Sequence, residues 1–483
     1  MRFAATGSAR ARILAGALIA ASLFVAACGG GDGDGTPTPT PTSTPAETGT
    51  PTPAPPDTAY RFVFREHGNA EDIFWRILPS DPSQREKVVT IAHREGHGIV
   101  ASLSPDGRMM AYLSLPAEAV SEESSQAEAY VLDLKRGSTR LVTKGVDYTF
   151  RPLWSPDGQL LFLRRLAGPE ILAADVSIVY TKIEREPLEG EPTPTPTKKP
   201  TPVPSGETPR PTPVPEDPIK TILKAKYSQV RSFIPIGWAD DNRSLYFVQV
   251  NGGLQGATLV GAYFPATTES IAKEATPTPD PAATPTPTPD PAAPTPDPEA
   301  PTPPPTPTPT PNSKFVLQLT DAAASDFSLS GDLHKVAFAS SGLVDGEFVS
   351  GVSIADLKSM AVTPIQEDGL PHGNRLGPVW HPDSNHITVG VLPFGGHAGG
   401  AVIVPLQLAQ PQFLAEPVSG FDIPRLWSPD AAYLAVTNWS GPDLANTGDP
   451  SLDLVSPTGF RVRIAQGAGY ATADAAVGWM APS

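Results

Sequence analysis

A single cysteine, Cys28, occurs in 483 residues, so the chain can close no internal disulfide. Positive charge is also scarce: 35 Lys and Arg stand against 51 Asp and Glu, a formal net charge of -16. Nucleic-acid binding asks for a basic face, so that class of partner is disfavoured. Docking by charge on anionic lipid is disfavoured for the same reason. Long apolar runs are missing too, since the one candidate, residues 13–27, is too short to span a bilayer. No Gly-x-Ser-x-Gly elbow occurs, so a serine-hydrolase route lacks its nucleophile motif.

Proline is in excess. Of 60 prolines, 37 fall within 36–56, 187–218 and 277–311, which read as Thr-Pro low-complexity sequence. Such segments cannot bury enough apolar surface to offset the entropy of ordering them, and disorder is expected. The remaining chain carries ample apolar residues for a core. The organisation expected is a leader over 1–27, a tether over 28–59, and one folded domain over 60–483 interrupted at 187–218 and 272–311.

Arg2, Arg10 and Arg12 precede the apolar run, which ends at once in glycines, the pattern of a signal peptide. Val25-Ala26-Ala27-Cys28 resembles the bacterial lipobox. That resemblance implies cleavage before Cys28, a diacylglyceryl thioether on its sulfur, and commonly N-acylation as well. Two or three acyl chains anchor stably where one is marginal. The expected location is extracytoplasmic, with the membrane as a partner through the lipid on Cys28. Glycines and then Thr-Pro pairs to residue 59 form an extended spacer at roughly 3.1 Å per residue.

One motif recurs along the rest. It reads SLSPDGRMMAYLS (102–114), LWSPDGQLLFLRR (153–165), GWADDNRSLYFVQ (237–249), SLSGDLHKVAFAS (328–340), VWHPDSNHITVGV (379–391) and LWSPDAAYLAVTN (426–438). VGWMAPS (477–483) is a truncated copy. The anchors Leu103, Trp154, Trp238, Leu329, Trp380, Trp427 and Trp479 are spaced 51, 84, 91, 51, 47 and 52 residues apart, and the two long gaps hold the Pro-rich tracts. Each unit reads as four strands: the tryptophan strand, a Pro-Asp-Gly turn, a second strand apolar on both faces, then a third and a fourth. Radial stacking of such units hides the sheet edges. YRFVFRE (60–66), DIFWRIL (72–78) and KVVTIAH (87–93) read as second to fourth strands lacking a first. AAVGWMA (475–481) reads as the missing first strand. The expected fold is therefore all-β, a seven-bladed propeller whose last blade joins N-terminal strands to the C-terminal strand.

These W-S-P-D-G units resemble the TolB-type, WD-like propeller repeat, also found in the non-catalytic propellers of prolyl-oligopeptidase-family enzymes. The similarity covers most of 60–483 and rests on turn and core residues, so it bears on architecture. The chain departs from TolB in lacking its preceding α/β domain, and it has no peptidase-type catalytic domain.

Candidate chemistry is sparse. His93 and His97 in HREGH lack the glutamate that a zincin places directly after the first histidine, and they read as loop residues. His381 and His386 flank a repeat turn, with His381 in the usual serine position. Asp32 and Asp34 have too few neighbours for a calcium loop and read as spacer. Asp106, Asp157, Asp383 and Asp430 read as turn formers. Asn242 and Asn438 head chance sequons. No catalytic residue, metal ligand or cofactor is expected. The expected function is a non-enzymatic scaffold that binds a protein, peptide or glycan. The alternatives are a propeller hydrolase or lyase with a site built from blade loops, and a TolB-like subunit of an envelope complex.

Overall fold

The computed structural model describes residues 53–115, 126–167, 175–183, 219–225, 232–238, 244–250, 257–263, 313–344, 347–365, 370, 375–407, 410–467 and 475–481. The signal peptide, Cys28, the tether through residue 52 and both Pro-rich tracts lie outside the described residues. The described strands form five four-stranded antiparallel sheets and one of eight strands, which divides into two four-stranded units joined where Val146 pairs with Arg165.

Unit one holds β1 (Arg61–His67), β2 (Glu71–Leu78) and β3 (Asp81–Ala92). Unit two holds β4 (Val100–Leu103), β5 (Met109–Ser114), β6 (Gln126–Asp133) and β7 (Ser138–Asp147). Unit three follows as β8 (Leu153–Trp154), β9 (Leu160–Ala167), β10 (Asp175–Lys182) and β11 (Ile219–Ala225). Unit four is β12 (Ser232–Trp238), β13 (Ser244–Val250), β14 (Ala257–Tyr263) and β15 (Ser313–Thr320). Unit five is β16 (Ala323–Leu329), β17 (Lys335–Val344), β18 (Glu347–Asp356) and β19 (Ala361–Pro364). Unit six is β20 (Arg375–Trp380), β21 (His386–Val391), β22 (Ala401–Pro405) and β23 (Gln412–Phe413). Unit seven is β24 (Phe421–Trp427), β25 (Leu434–Trp439), β26 (Pro450–Val455) and β27 (Arg461–Gln466). The last strand, β28 (Ala476–Met480), pairs antiparallel with β1 and completes unit one.

First strands of successive units touch around the ring: β28 meets β4, β4 meets β8, β12 meets β16, β16 meets β20, β20 meets β24, and β24 returns to β28. Between units three and four the contact runs from β10 to β12. The fold is a β-propeller, and its core lies between units. One apolar cluster joins Met110 and Tyr112 of unit two to Val63 and Phe74 of unit one. Another joins Tyr433 and Leu452 of unit seven to Phe62 and Phe64 of unit one. Second strands therefore bury both faces, as all six residues of β25 do. The repeat tryptophans add hydrogen bonds across the same seams. Trp154 Nε1 donates to Ser102 O at 3.3 Å, and Trp380 Nε1 to Ser328 O at 2.9 Å, each in the preceding unit. Trp479 is less buried than Trp154, Trp238, Trp380 and Trp427.

The turn after each first strand is built by its own polar residues. Ser104 Oγ donates to Asp106 Oδ1 at 2.6 Å and accepts from Met109 N at 2.9 Å. Ser155 with Asp157, and Ser330 with Asp332, repeat the arrangement. The fourth turn residue is left-handed: Gly107 (φ 67°), Gly158 (φ 63°), Leu333 (φ 62°), Ser384 (φ 57°) and Ala431 (φ 59°). A side chain there costs about 1–2 kcal/mol, partly offset by the greater entropy that glycine loses on folding. Leu333→Gly is accordingly expected to stabilise the ring by about 0.5–1 kcal/mol. A urea midpoint that falls would contradict this account of the turn.

Antiparallel pairing fixes where the Pro-rich excursions begin and end. Lys182 at the end of β10 pairs with Leu160, directly after the turn of unit three, and Thr181 pairs with Ile219 of β11. In unit four, Tyr263 pairs with Ser244, and Ala262 with Ser313. Both excursions thus leave and return at the rim that carries the first-to-second-strand turns, in neighbouring units.

Two readings need correction. The fourth strand of unit one begins at Asp81 rather than near residue 87, because β2 and β3 meet in a tight hairpin that pairs Leu78 with Asp81. Residues 53–59 also do not hang free as tether. Thr58 is buried and its Oγ1 donates to Asp430 Oδ2 at 2.5 Å, while Tyr433 Oη donates to Pro56 O at 2.7 Å. The Tyr433 side chain sits in the core with one polar atom to satisfy, and this arm supplies the acceptor.

Candidate functional site

His93 does not join His97. Its Nε2 lies 3.1 Å from Asp72 Oδ1, and His67 Nδ1 lies 2.8 Å from the same oxygen. The two imidazoles stack with centroids 5.6 Å apart. Asp72 is fully buried; its Oδ2 accepts from Ile99 N at 2.6 Å and faces Arg65 Nη1 at 3.3 Å. Burial would push the Asp72 carboxyl up, but hydrogen bonds from His67 and His93, with the Arg65 charge and the Ile99 amide, hold it far below the usual range. For His93, burial works to lower the pKa, and the Asp72 hydrogen bond, the Arg94 carbonyl and the Asp72 charge together outweigh it, raising the group. The carboxylate ties the hairpin between β1 and β2 to the segment entering unit two. Its oxygens are committed, and a guanidinium beside them opposes a metal cation.

Comparable buried acids tie other seams. Asp147, at the end of unit two, receives Arg164 Nε of unit three at 2.7 Å, and that guanidinium lies 3.5 Å from the centre of the Phe150 ring. In unit seven, Arg461 grips Asp422 through two nitrogens at 2.8 Å each, and its Nε reaches Asp453 at 2.9 Å. Arg461 Nη1 also donates to Ala415 O of the preceding connection at 3.0 Å. Burial lowers the guanidinium's pKa, but hydrogen bonds to Asp422 and the charges of both carboxylates outweigh it and raise the group.

The other singled-out residues resolve simply. Asp106, Asp157, Asp332 and Asp430 each accept a backbone amide two residues on, which is the work of a turn former. Asn438 is buried, and its Nδ2 donates to Ser419 O, Phe421 O and Asp422 Oδ1, so its sequon offers no accessible amide. Asn242, Asp32 and Asp34 lie outside the described residues. Asp383 differs from its sister aspartates. His381 Nδ1 lies 3.1 Å from its Oδ1, and His386 Nδ1 lies 2.7 Å from its Oδ2. These three side chains are half-buried to exposed at the turn rim.

The opposite rim holds an open groove of ≈ 530 Å³ between units six and seven. Its walls are the 393–398 loop joining β21 to β22, residues 418–420 entering β24, and Ser440 with Pro442 after β25. Gly395 (φ 55°) and Gly396 (φ 86°) leave open space where side chains would stand. Val418 is fully exposed, and Phe413 stands 6.5 Å from Phe394, centre to centre. His397 packs on Phe394 and approaches Glu416 at 3.6 Å. Nothing in the sequence singled out this groove, because its walls come from three connections with no shared motif.

No protein-family model matches the chain, and no curated protein matches it. Solved structures do. TolB from Acinetobacter baumannii is 14% identical over 73% of this chain and 63% of its own, with a TM-score of 0.38. Prolyl oligopeptidase B from Galerina marginata is 10% identical over 85% of this chain and 50% of its own, with a TM-score of 0.47. The β-propeller domain of the Trilobed protease from Pyrococcus furiosus is 12% identical over 76% and 95%, with a TM-score of 0.34. The chain thus spans less than two thirds of the first two. The β-propeller that the strand pairing establishes is what this chain has in common with them.

Proposed function

We propose that the protein is a cell-envelope lipoprotein that presents its propeller as a binding scaffold for a protein or peptide partner. The observation that carries the reading is the groove between units six and seven, where apolar side chains and bare glycine backbone face solvent together. Exposed apolar surface beside bare glycine backbone suits a segment that lays down both side chains and main chain. The attachment geometry supports the same reading. Residues 53–59 bind the turn of unit seven, so the tether from Cys28 reaches the turn rim and the groove opens on the rim away from it. At roughly 3.1 Å per residue the segment from Cys28 to Thr52 would extend on the order of 75 Å. A second reading, a propeller hydrolase or lyase, draws support from the exposed His381–Asp383–His386 cluster alone.

The test has two arms. Cys28→Ser is expected to abolish metabolic labelling with a fatty-acid analogue and to release the protein from the membrane fraction. Persistent labelling would remove the anchor from the proposal. Val418→Asp is expected to lose, by about tenfold, whatever envelope protein the wild type captures after detergent solubilisation, with the melting temperature unchanged. Equal capture by both forms would rule the groove out as the contact surface.

A further inference from the structure

We propose that the turn of unit six is a binding site for a transition-metal dication of the zinc type, held by His381, Asp383 and His386. The fold supplies its own control for this idea, because the same turn occurs in sister units with no histidine at either of these two positions. Ser104, Ser155, Ser330 and Ser428 stand where His381 stands, and each serine hydroxyl accepts the amide five residues on. In unit six that amide, His386 N, is taken by Asp383 Oδ1 at 3.1 Å, and Asn385 N donates to the same oxygen at 2.8 Å. The turn therefore closes without the serine. Of the histidines, His381 adds one long contact to it, Nδ1 accepting from Asp383 N at 3.4 Å, and sister residues at the His386 position are Met109, Leu160, Lys335 and Tyr433.

What the two histidines bring is ligand chemistry. Both Nδ1 atoms converge on one carboxylate, at 3.1 and 2.7 Å, and the three donor atoms lie within 4.8 Å of one another. Tetrahedral zinc with ligands at about 2.0–2.1 Å needs donor separations of roughly 3.3 Å, which is within reach of side-chain rotation from the separations here. His381 is steadied by an edge contact with Trp427, centroids 4.9 Å apart, while His386 and Asp383 are more exposed. Asp383 is ready as an anion: burial raises its carboxyl, but the Asn385 amide and both imidazoles bring it down to about 2. Lys335 is the nearby cation, and its ammonium is already held by Asp332 at 2.9 Å and Ser384 O at 3.3 Å. To bind, each Nδ1 must carry no proton, so that its lone pair goes to the metal while the ring proton sits on Nε2; any imidazolium first gives one proton to solvent. Three protein ligands leave a fourth position open to solvent, the coordination of an exchangeable rather than a closed structural site. Two imidazoles with one carboxylate favour zinc-type ions over calcium, which prefers oxygen alone.

The experiment is calorimetric titration of the full chain with ZnCl2, Cys28 being alkylated so that its thiol cannot compete. One zinc per chain is expected, with no heat from CaCl2. His381→Ser restores the residue of four sister turns and His386→Leu that of unit three, so both should fold with unchanged melting temperatures. Each is expected to weaken zinc binding by about 10–100-fold. His67→Gln, in the other histidine cluster, is expected to leave it unchanged. Absence of zinc binding by the wild type, equal binding by His381→Ser, loss on His67→Gln, or comparable calcium binding would each overturn the proposal.

Discussion

Removal of residues 475–483 is expected to abolish the cooperative fold of the ring. β28 donates the innermost strand of unit one, pairing Phe62 with Trp479 and Phe64 with Ala476. Phe62 and Trp479 pack with centroids 4.9 Å apart, and two further bonds cross to this strand: Arg65 N to Ala475 O and Arg151 Nη2 to Ala476 O, both at 2.8 Å. Deletion opens the β1 edge to water and uncovers Phe62 and Phe64, which are otherwise fully buried. Loss of one large aromatic contact alone costs about 3–5 kcal/mol, and the ladder bonds add about 1 kcal/mol each. That sum approaches the whole stability of an ordinary domain. Thermal melts of the two forms decide it, and an unchanged midpoint would show that unit one is not closed by its C-terminal strand.

Arg461→Met should be the most damaging single substitution of a polar residue in unit seven, at about 3–5 kcal/mol. It strands Asp422, which is fully buried, and leaves Asp453 with Arg463 and the Ser451 hydroxyl, each at 3.1 Å. Burial already pushes the Asp422 carboxyl up, and without the guanidinium nothing of opposite charge counters it. A carboxyl whose folded pKa exceeds its unfolded value binds more protons when folded, so stability falls as pH rises through that range. The deficit of Arg461→Met should therefore shrink as pH is lowered from 7 toward 5, read as urea midpoints against wild type. The double variant Arg461→Met with Asp422→Asn should recover part of the loss at pH 7. A deficit independent of pH would mean that lost packing, not a stranded charge, is responsible.

Much of this architecture was legible in the chain because propeller units repeat. Trp154, Trp238, Trp380, Trp427 and Trp479 recur at one register position, since each packs against the preceding unit, and a recurring contact leaves a recurring residue. The Pro-Asp-Gly turn is local, so the role of its aspartates is legible in the residues themselves. Features made once between distant segments left no such trace. His67 and Asp72 belong to β1 and β2 and His93 follows β3, and Asp422 and Arg461 belong to the first and last strands of their unit. The left-handed turn positions were readable at Gly107 and Gly158 but not at Leu333, where the backbone keeps the shape after the glycine has gone. His381 was read as a mere stand-in for serine, because its partner His386 becomes a neighbour only when the turn folds back.

The seam between β1 and β28 also dictates an order of events. Phe62 and Trp479 are roughly 400 residues apart, so this contact carries the largest loop-closure cost in the ring. A chain made from its N-terminus presents β1, β2 and β3 first, yet their innermost partner is synthesised last. Until then β1 is an unpaired edge bearing three buried-type aromatic and aliphatic side chains, Phe62, Val63 and Phe64, the kind of surface that attracts other strands. Units two to seven can assemble in sequence beside it, each on its predecessor. The ring can then act as one cooperative body only when the last strand docks, so a nascent or stalled chain is an open arc with two adhesive ends.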